Sequence, residues 1–262
     1  MSENNRMPQP FNLDQMNSAR VYDYLLGGKD SRESDIELAN EMLSRTPELK
    51  TVVWFCRSFM FKAVEMAAEA GVRQFIDLGS GIPSSPNVHE VVQKIQPSAR
   101  VVYVDYDPVV YAHCNALLTK PDGVTALLGD VRRPSDLLDQ LKNDSQIDFN
   151  EPVAITAIGV LHYVMDNEHP ADIVAAFRDA MAPGSYLAIT HGSLDSSPEI
   201  LQVLEATKGS SAQVTFRTTA QTEAFVTGFE LLEPGVVPVQ EWLRPGLPET
   251  RMVMLGTIGR KR

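Results

Sequence analysis

The sequence predicts an α/β fold in which helices cover both faces of a mostly parallel sheet. Short apolar runs alternate with helical patterns through most of the chain. The runs are nearly continuous, as in Val153-Ala154-Ile155-Thr156-Ala157-Ile158. Such runs are typical of strands buried on both sides, and alternation with helices is typical of parallel strands joined by crossovers.

Seven strands are expected, of which the first five alternate with helices. The strands are 73–78, 100–105, 123–128, 152–158, 184–191, 229–238 and 250–259. The helices between the first five strands are 86–96, 107–118, 134–142 and 169–181, and two more at 196–207 and 219–226 precede the closing strands. The pattern therefore predicts a seven-stranded sheet.

The segment before the first strand is predicted to be helical. Residues 1–16 are polar and contain proline, which indicates a flexible tail. Helical patterns at 17–27, 31–45 and 49–70 predict an N-terminal helical lid over 17–70, and Gly71 is a helix stop. The core domain is then expected over 71–262.

Composition limits the partners and the compartment. The chain has 262 residues and a net charge of −11, which argues against binding a nucleic-acid backbone. It has two cysteines, Cys56 and Cys114, in apolar helical patterns, so buried free thiols in a reducing cytoplasm are expected. No apolar run is long enough for a membrane span, no signal-peptide core precedes the fold, and no residue spacing predicts a metal site.

A glycine-rich turn follows the first predicted strand. The run Phe75-Ile76-Asp77-Leu78-Gly79-Ser80-Gly81 is a buried strand that ends in a carboxylate and two glycines. Because glycine has no Cβ, backbone N–H groups in such a turn can approach a ligand closely. Asp77, Gly79, Ser80 and Gly81 are therefore predicted to contact a ligand.

Carboxylates also follow the next two strands. Asp105 and Asp130 come at or just past their carboxyl ends, which is the edge where open α/β sheets bind ligands. Asp105 is placed to bind ribose hydroxyls and Asp130 an exocyclic adenine amine, with Tyr106 against the adenine. Val131, beside Asp130, and Gly159, after the fourth strand, complete the predicted cofactor site. A helix N-cap is the alternative for a single aspartate and is preferred for Asp107, before Pro108.

These groups favour S-adenosylmethionine over NAD. The turn has Ser84 where the dinucleotide fingerprint has its third glycine, and Pro83 lengthens the turn. The pyrophosphate of a dinucleotide needs a shorter turn, in which the third glycine lets the helix pack close to the phosphates. A nicotinamide-dependent oxidoreductase is thus the less favoured alternative.

The sequence resembles a known family over about residues 17–260. It is similar to class I S-adenosylmethionine-dependent methyltransferases, and more closely to the actinobacterial-type S-adenosyl methyltransferase family, formerly a domain of unknown function. The matching runs are ARVYDYLLGGKD at 19–30, FIDLGSGIP at 75–83, PNVHE at 86–90, VYVD at 102–105, DPVV at 107–110 and LHY at 161–163. After GGKD the family usually continues Asn-Phe and later Asp-Arg, whereas this chain has SRESDI at 31–36. The resemblance implies a Rossmann-like fold.

The first matching run is interpreted as part of the lid. Arg20 or Lys29 could bind the methionine carboxylate, and Tyr22 could lie against the ligand. The alternative is a helix packed by its tyrosines and leucines and ended by glycines, with solvated charges.

The end of the fourth strand is expected to face the transferred methyl group. Methyl transfer needs mainly proximity and orientation, and a base only if the acceptor must lose a proton. His162 is the first candidate for that base and His191, ending the fifth strand, the second, with Tyr163 beside them. Either histidine could instead be structural.

The predicted function is methyl transfer from S-adenosylmethionine to a small-molecule acceptor, in specialised metabolism, with S-adenosylhomocysteine as product. A non-catalytic S-adenosylmethionine-binding protein is the other alternative, since its binding residues would look the same. No nucleic-acid or membrane partner is expected, and the sequence leaves a homodimer open.

Overall fold

The computed structural model describes residues 16–119, 121–145, 147–206 and 213–262. The predicted tail, apart from Met16, lies outside the described residues, and so does the last residue of the predicted helix 196–207. Within those ranges, no helix is both long and apolar enough to cross a membrane.

The described residues form one mixed sheet. Its strands are Gln74–Leu78 (β1), Arg100–Asp105 (β2), Val124–Leu128 (β3), Ala154–Ala157 (β4), Tyr186–Gly192 (β5), Glu230–Leu231 (β6), Val237–Pro238 (β7) and Met254–Arg260 (β8). The order is β3-β2-β1-β4-β5-β8-β6, with β7 also paired to β8. Strands β1 to β5 run parallel and β8 runs antiparallel to β5. The predicted α/β class and mostly parallel sheet are confirmed.

The predicted count of seven strands is wrong, because the strand expected at 229–238 is broken in two. Strands β6 and β7 pair with successive parts of the edge of β8 that faces away from β5. Between them the chain turns, and Gly235 N–H donates to Leu232 O at 2.8 Å. The indole N–H of Trp242 lies at the break and donates to the carbonyls of Gly235 and Gly256. The sheet therefore has eight strands.

Ten α-helices surround the sheet in the described part of the chain. They are Ser18–Leu25 (α1), Glu33–Arg45 (α2), Leu49–Glu69 (α3), Val88–Ile95 (α4), Pro108–Leu117 (α5), Pro134–Asp144 (α6), Pro170–Ala180 (α7), Pro198–Ala206 (α8), Thr219–Phe225 (α9) and Val239–Leu243 (α10). Asp107 caps α5 by accepting from Val109 N–H at 2.7 Å, as predicted. Helix α10 and two 3-10 turns, at 161–163 and 166–168, were not predicted.

Helix α3 covers the centre of one sheet face. One part of its buried stripe, including Phe59, packs with Trp242 and Ile258, and the next part, including Val64, packs with Phe75. The opposite sheet face carries a separate cluster in which side chains of α6, α7 and α9 meet alternate residues of β1, β2, β4 and β5. The central strands are thus buried on both faces, which explains their continuous apolar sequence.

Helices α1 and α2 are joined by a buried ion pair. Arg20 Nε lies 2.5 Å from Asp35 Oδ2, and the two side chains are 4% and 0% exposed. Asp35 also accepts from the backbone N–H groups of Asn17 and Arg32. Held by these bonds, the pair fixes how α1 sits against α2.

Replacing Arg20 with Met should therefore destabilise the N-terminal helices, because it leaves the Asp35 carboxylate buried without its cation. Breaking a buried pair costs about 3–5 kcal/mol. Urea unfolding followed by circular dichroism measures the loss. Arg45→Met is the matched control, since Arg45 pairs with Glu41 on the exposed side of α2 and should change little. Equal effects of the two substitutions would contradict this account of the Arg20 pair.

Candidate functional site

The carboxyl ends of β1, β2 and β4 meet at one edge of the sheet. The N–H of Gly79 donates to Val104 O at 2.8 Å, and that of Gly81 donates to Asp105 Oδ2 at 3.0 Å. Gly79 has a φ of +66°, and a Cβ there would lie 2.4 Å from Val160 Cγ2 in the loop after β4. The turn after β1 is therefore held against both neighbouring loops, and only glycine fits at position 79.

Asp105 stands at the centre of this edge. Its carboxylate is buried and accepts from the backbone N–H of Gly81 on Oδ2 and from that of Asp107 on Oδ1, and the backbone N–H of Tyr106 also bonds to it. A carboxylate offers about four acceptor positions, so acceptor capacity remains that a ligand hydroxyl could use. Burial raises the pKa of Asp105 to about 6, against the opposing effect of these N–H groups.

Asp77 occupies a similar environment one strand away. It is buried, and its Oδ1 accepts from Thr156 Oγ1 at 2.6 Å. Burial raises its pKa to about 6, while Thr156 and the positive charge of Arg57 oppose the rise. The edge thus holds two buried carboxyl groups whose charge is only partly compensated.

Asp130 is engaged by a neighbouring arginine. The guanidinium of Arg132 binds both oxygens of Asp130, with Nη2 2.7 Å from Oδ2, and also approaches Glu168 at 3.5 Å. Arg132 lies 5.7 Å from the centre of the Tyr106 ring, which is 37% exposed. Because Arg132 already binds both oxygens of Asp130, the predicted contact with adenine would have to use the lone pairs that remain on those oxygens.

His162 lies in the 3-10 turn after β4. Its ring centre is 4.6 Å from that of Tyr163 and 6.1 Å from that of His191. Its Nδ1 is buried without a hydrogen-bond partner in the described residues. Burial, together with His191 and the positive charge of Arg217, lowers the pKa of His162 to about 3.

His191 is enclosed and fully bonded. Its Nε2 is 2.8 Å from Arg217 Nη1 and its Nδ1 is 2.9 Å from Gly192 O. Because arginine only donates, Nε2 accepts and Nδ1 carries the proton. The side chain is 0% exposed, so neither nitrogen can reach a substrate. This geometry opposes the second candidate base.

Arg217 holds the loop that carries His162 and Tyr163. Its guanidinium, 3% exposed, donates to the carbonyls of Leu161 and Val164 and to Asp166 Oδ1. Arg217 was not predicted from the sequence. Its partners lie about 50 residues earlier in the chain, and no local pattern around Arg217 indicates a contact with that loop.

The first turn of α1 crosses the same edge. The side-chain amide of Asn17 donates to Asp107 Oδ2, at the start of α5. Ser18 hydrogen-bonds Tyr163, in the loop after β4. Tyr22 lies close enough to Asp77 and Arg57 for their charges to act on its hydroxyl.

The remaining predicted site residues lie at different places in the structure. Ser80 lies in the glycine-rich turn, Val131 packs against the core, and Gly159 N–H donates to Thr190 Oγ1. Lys29 is exposed after the end of α1, and Arg20 is paired with Asp35. Sequence reasoning also missed Arg57, which lines a crevice with Asp77, Ser80 and Gly81. The helical stripe of α3 gave no signal for it, because Arg57 lies at the margin of that stripe.

No metal site competes with this interpretation in the described ranges, where no three His, Cys, Asp or Glu side chains converge as ligands. A groove of about 550 Å³, lined by Lys142, Phe149 and Asn150 among others, lies beyond the opposite edge of the sheet. There the Gln74 side chain at the start of β1 bonds to Asp148. The groove is remote from the glycine-rich turn.

Two solved structures resemble the whole chain. A candidate methyltransferase from Thermobifida fusca is 39% identical, with a TM-score of 0.88, and the match covers 97% of this chain and 98% of that one. A DUF574 family protein from Streptomyces avermitilis is 36% identical, with a TM-score of 0.89, over 95% of this chain and 98% of that one.

A more distant structure shares the fold alone. The N,N-8-amino-8-demethyl-D-riboflavin dimethyltransferase of Streptomyces davawensis is 20% identical, with a TM-score of 0.51, over 92% of this chain and 62% of that one. This likeness supports the predicted Rossmann-like architecture. No curated protein matches the chain.

The family model described as S-adenosyl methyltransferase matches residues 4–262. This match covers nearly all of the chain and agrees with the two similar structures. The chain therefore belongs to the S-adenosyl methyltransferase family and is an S-adenosylmethionine-dependent methyltransferase.

Proposed function

We propose that this enzyme methylates a small-molecule acceptor. The observation that carries the proposal is the closed edge: α1 bonds to loops on both sides of it, at Asp107 and Tyr163. An edge covered in this way admits a small molecule more readily than a macromolecular surface. The net charge of −11 further disfavours nucleic acid. A role in specialised metabolism rests on the family resemblance alone.

The described residues fit the cofactor. S-adenosylmethionine supplies an electrophilic methyl carbon on a sulfonium. In this proposal, Asp105 accepts from the ribose hydroxyls through its remaining lone pairs, and Tyr106 lies against the adenine near Asp130 and Val131. The turn Gly79-Ser80-Gly81 lies along the amino-acid end, with Gly159 on the opposite side.

His162 then orients the acceptor. A base must stabilise the proton it takes, yet the guanidinium of Arg217 bonds His191 and its positive charge acts on His162. A neutral imidazole beside a cation is suited to a hydrogen bond and poorly suited to proton removal. Tyr163 and Leu194, 38% and 44% exposed after β4 and β5, would provide apolar contact for the acceptor.

Incubation with methyl-labelled S-adenosylmethionine and an extract of small metabolites tests the function. We expect S-adenosylhomocysteine together with a labelled metabolite found by mass spectrometry. Label in protein or nucleic acid would overturn the small-molecule acceptor. Cofactor binding with no turnover on any fraction would favour the non-catalytic alternative.

The affinity for S-adenosylmethionine should fall as the pH drops through about 6. The raised pKa values of Asp77 and Asp105 mean that both carboxyls take up protons there in the free protein. The cationic cofactor and its ribose hydroxyls prefer the carboxylates, so binding must expel these protons. Each group then costs up to about tenfold in affinity per pH unit. Calorimetry across the pH range, in buffers of different ionisation enthalpy, measures both effects.

Asp105→Asn should weaken binding roughly tenfold or more at neutral pH, because the amide cannot accept from both backbone N–H groups and the ribose. It should also reduce the pH dependence to that of Asp77. Asp136→Asn, on the exposed first turn of α6, is the control. Unchanged affinity in Asp105→Asn would remove Asp105 from the cofactor site.

The role of His162 is tested with the acceptor identified in the metabolite extract. If His162 only orients the acceptor, His162→Asn or His162→Gln should keep much of the kcat that His162→Ala loses. The wild-type kcat, measured with saturating S-adenosylmethionine, should stay flat from about pH 5.5 to 8 once acceptor ionisation is excluded, because the lowered pKa keeps the imidazole neutral. A base would instead cost about 10²–10⁴ in kcat in every variant. A rate that falls with a pKa near 6.5 only when His162 is present would establish the base.

The lid is tested by hydrogen exchange. We propose that α1 opens to admit the cofactor and closes over it, because its contacts to Asp107 and Tyr163 cross the entrance. Amides of residues 18–25 should exchange more slowly with S-adenosylhomocysteine bound, while those of α6 on the far face should not change. If the α1 amides are equally protected from exchange with and without ligand, α1 is a helix that only packs against the core and does not act as a lid.

A further inference from the structure

Arg217 is a buried cation whose counter-ion is exposed. The side chain of Arg217 is 3% exposed and that of Asp166 is 77% exposed. Nε and Nη2 donate to Asp166 Oδ1, Nη2 also donates to Val164 O, and Nη1 donates to Leu161 O and His191 Nε2. These bonds account for the five N–H groups, so the guanidinium is fixed in place. Because water screens the exposed carboxylate more than the buried guanidinium, the positive charge prevails on the buried side.

The segment that carries Arg217 lies against the turn of His162. Thr215 N–H donates to His162 O at 2.7 Å, and the ring centre of Phe216 is 6.5 Å from that of His162. His191 links the two groups, since its ring centre is 6.1 Å from that of His162 and its Nε2 is 2.8 Å from the guanidinium. The positive charge therefore acts on the turn that is expected to face the transferred methyl group.

The groups around His162 are poorly suited to take a proton. Burial, together with His191 and the positive charge of Arg217, lowers the pKa of His162 to about 3, and burial lowers that of His191 to about 4. Burial raises the pKa of Tyr163, so its phenol stays protonated at neutral pH. Asp77, with a pKa raised by burial to about 6, lies in the crevice of the glycine-rich turn, on the side proposed for the cofactor. An acceptor that must lose a proton finds no base beside His162.

We propose that the acceptor attacks through an anionic oxygen, a carboxylate or a phenolate, that is already ionised when it binds beside His162 in the field of Arg217. This inference rests on the proposed methylation of a small molecule and names the class of that molecule. Nδ1 of His162 has no hydrogen-bond partner in the described part of the chain, so it is available to donate to the oxygen.

The step then needs no proton transfer. A lone pair of the oxygen forms the O–C bond while the C–S bond breaks, and the electron pair of that bond stays on sulfur. The anion and the sulfonium become a neutral ester or ether and a neutral thioether sulfur. A site that excludes water favours this step, because the two reacting charges cancel. A neutral amine would instead become an ammonium beside Arg217, and its proton would have no acceptor among these groups.

The product of the labelled extract decides the acceptor class. With carbon-13 in the transferred methyl group, nuclear magnetic resonance distinguishes a methyl ester or aryl ether from a methyl on nitrogen, carbon or an alkyl hydroxyl. We expect an ester or an aryl ether. Any of the other products would overturn the inference and leave the small-molecule acceptor standing. If no metabolite carries the label, the proposed function fails, and the inference fails with it.

The role of Arg217 is tested by comparing the identified acceptor with its uncharged isostere. The isostere is the primary amide of an acid, or the ring with a methyl group in place of a phenol. Calorimetry measures both affinities in the S-adenosylhomocysteine complex, above the pKa of the acceptor. The wild type should bind the anion roughly 10- to 30-fold more tightly, Arg217→Met should reduce that ratio to within about threefold, and Arg217→Lys should restore part of it. Arg262→Met is the matched control, since Arg262 is exposed and pairs with Glu230 at the outer strand.

Arg217 also fastens the loop after β4, so a purely structural role must be distinguished. That role predicts equal losses for the anion and its isostere in Arg217→Met, which would contradict the proposal. Asp166→Asn keeps the guanidinium and removes its counter-ion, so it should increase the preference for the anion. If Arg217→Met does not fold, the wild type and Asp166→Asn still decide: equal affinities in the wild type, or an unchanged ratio in Asp166→Asn, would overturn the proposal.

Discussion

The close approach of three loops at one sheet edge is the constraint on which the rest of the site depends. Gly79 can lie against Val160 only without a side chain, and this contact brings the end of β1 beside the end of β4. The following N–H, of Gly81, then reaches Asp105 at the end of β2. Because these contacts are made by backbone and by short buried side chains, they fix the separation of Asp77, Asp105 and the His162 turn without help from α1.

The buried charged groups of this protein are of two kinds. One kind joins helices, and the other lies at the edge where the ligand is expected to bind. Arg20 with Asp35 is an ion pair in which each charge lies against the other, and backbone N–H groups also bond to the carboxylate, so that it joins two helices. Asp77 and Asp105 are also buried, but neighbouring polar groups offset only part of the cost of burying their negative charge. Their pKa values therefore rise to about 6. A buried group that the fold leaves incompletely bonded costs stability. Such a cost is typical of a site that is completed by a cationic, hydroxyl-bearing ligand.

Local patterns predicted the parallel strands, the glycine-rich turn and the cap at Asp107, because each depends on neighbouring residues. The outer strand could not be predicted, since its break depends on Trp242, which bonds across from α10. Arg57 and Arg217 were missed for the same reason: their partners lie far away in the chain, on Ser84 and Pro86 in one case and Leu161 and Val164 in the other. The placements of Asp105 and His162 followed from strand ends, but their bonding partners and ionisation needed the fold.

Product release follows from how charge changes at this edge. Methyl transfer removes the positive charge from sulfur, while the ribose and amino-acid groups stay the same. The contacts proposed for Asp105 and the glycine-rich turn would therefore hold substrate and product almost equally, and only the longer-range attraction between the buried carboxylates and the sulfonium would be lost. That loss weakens product binding without opening the site. In the proposed lid, the bonds of Asn17 to Asp107 and of Ser18 to Tyr163 must still break before the product can leave. If α1 moves as proposed, its opening is the step at which the sequence of the N-terminal helix controls turnover.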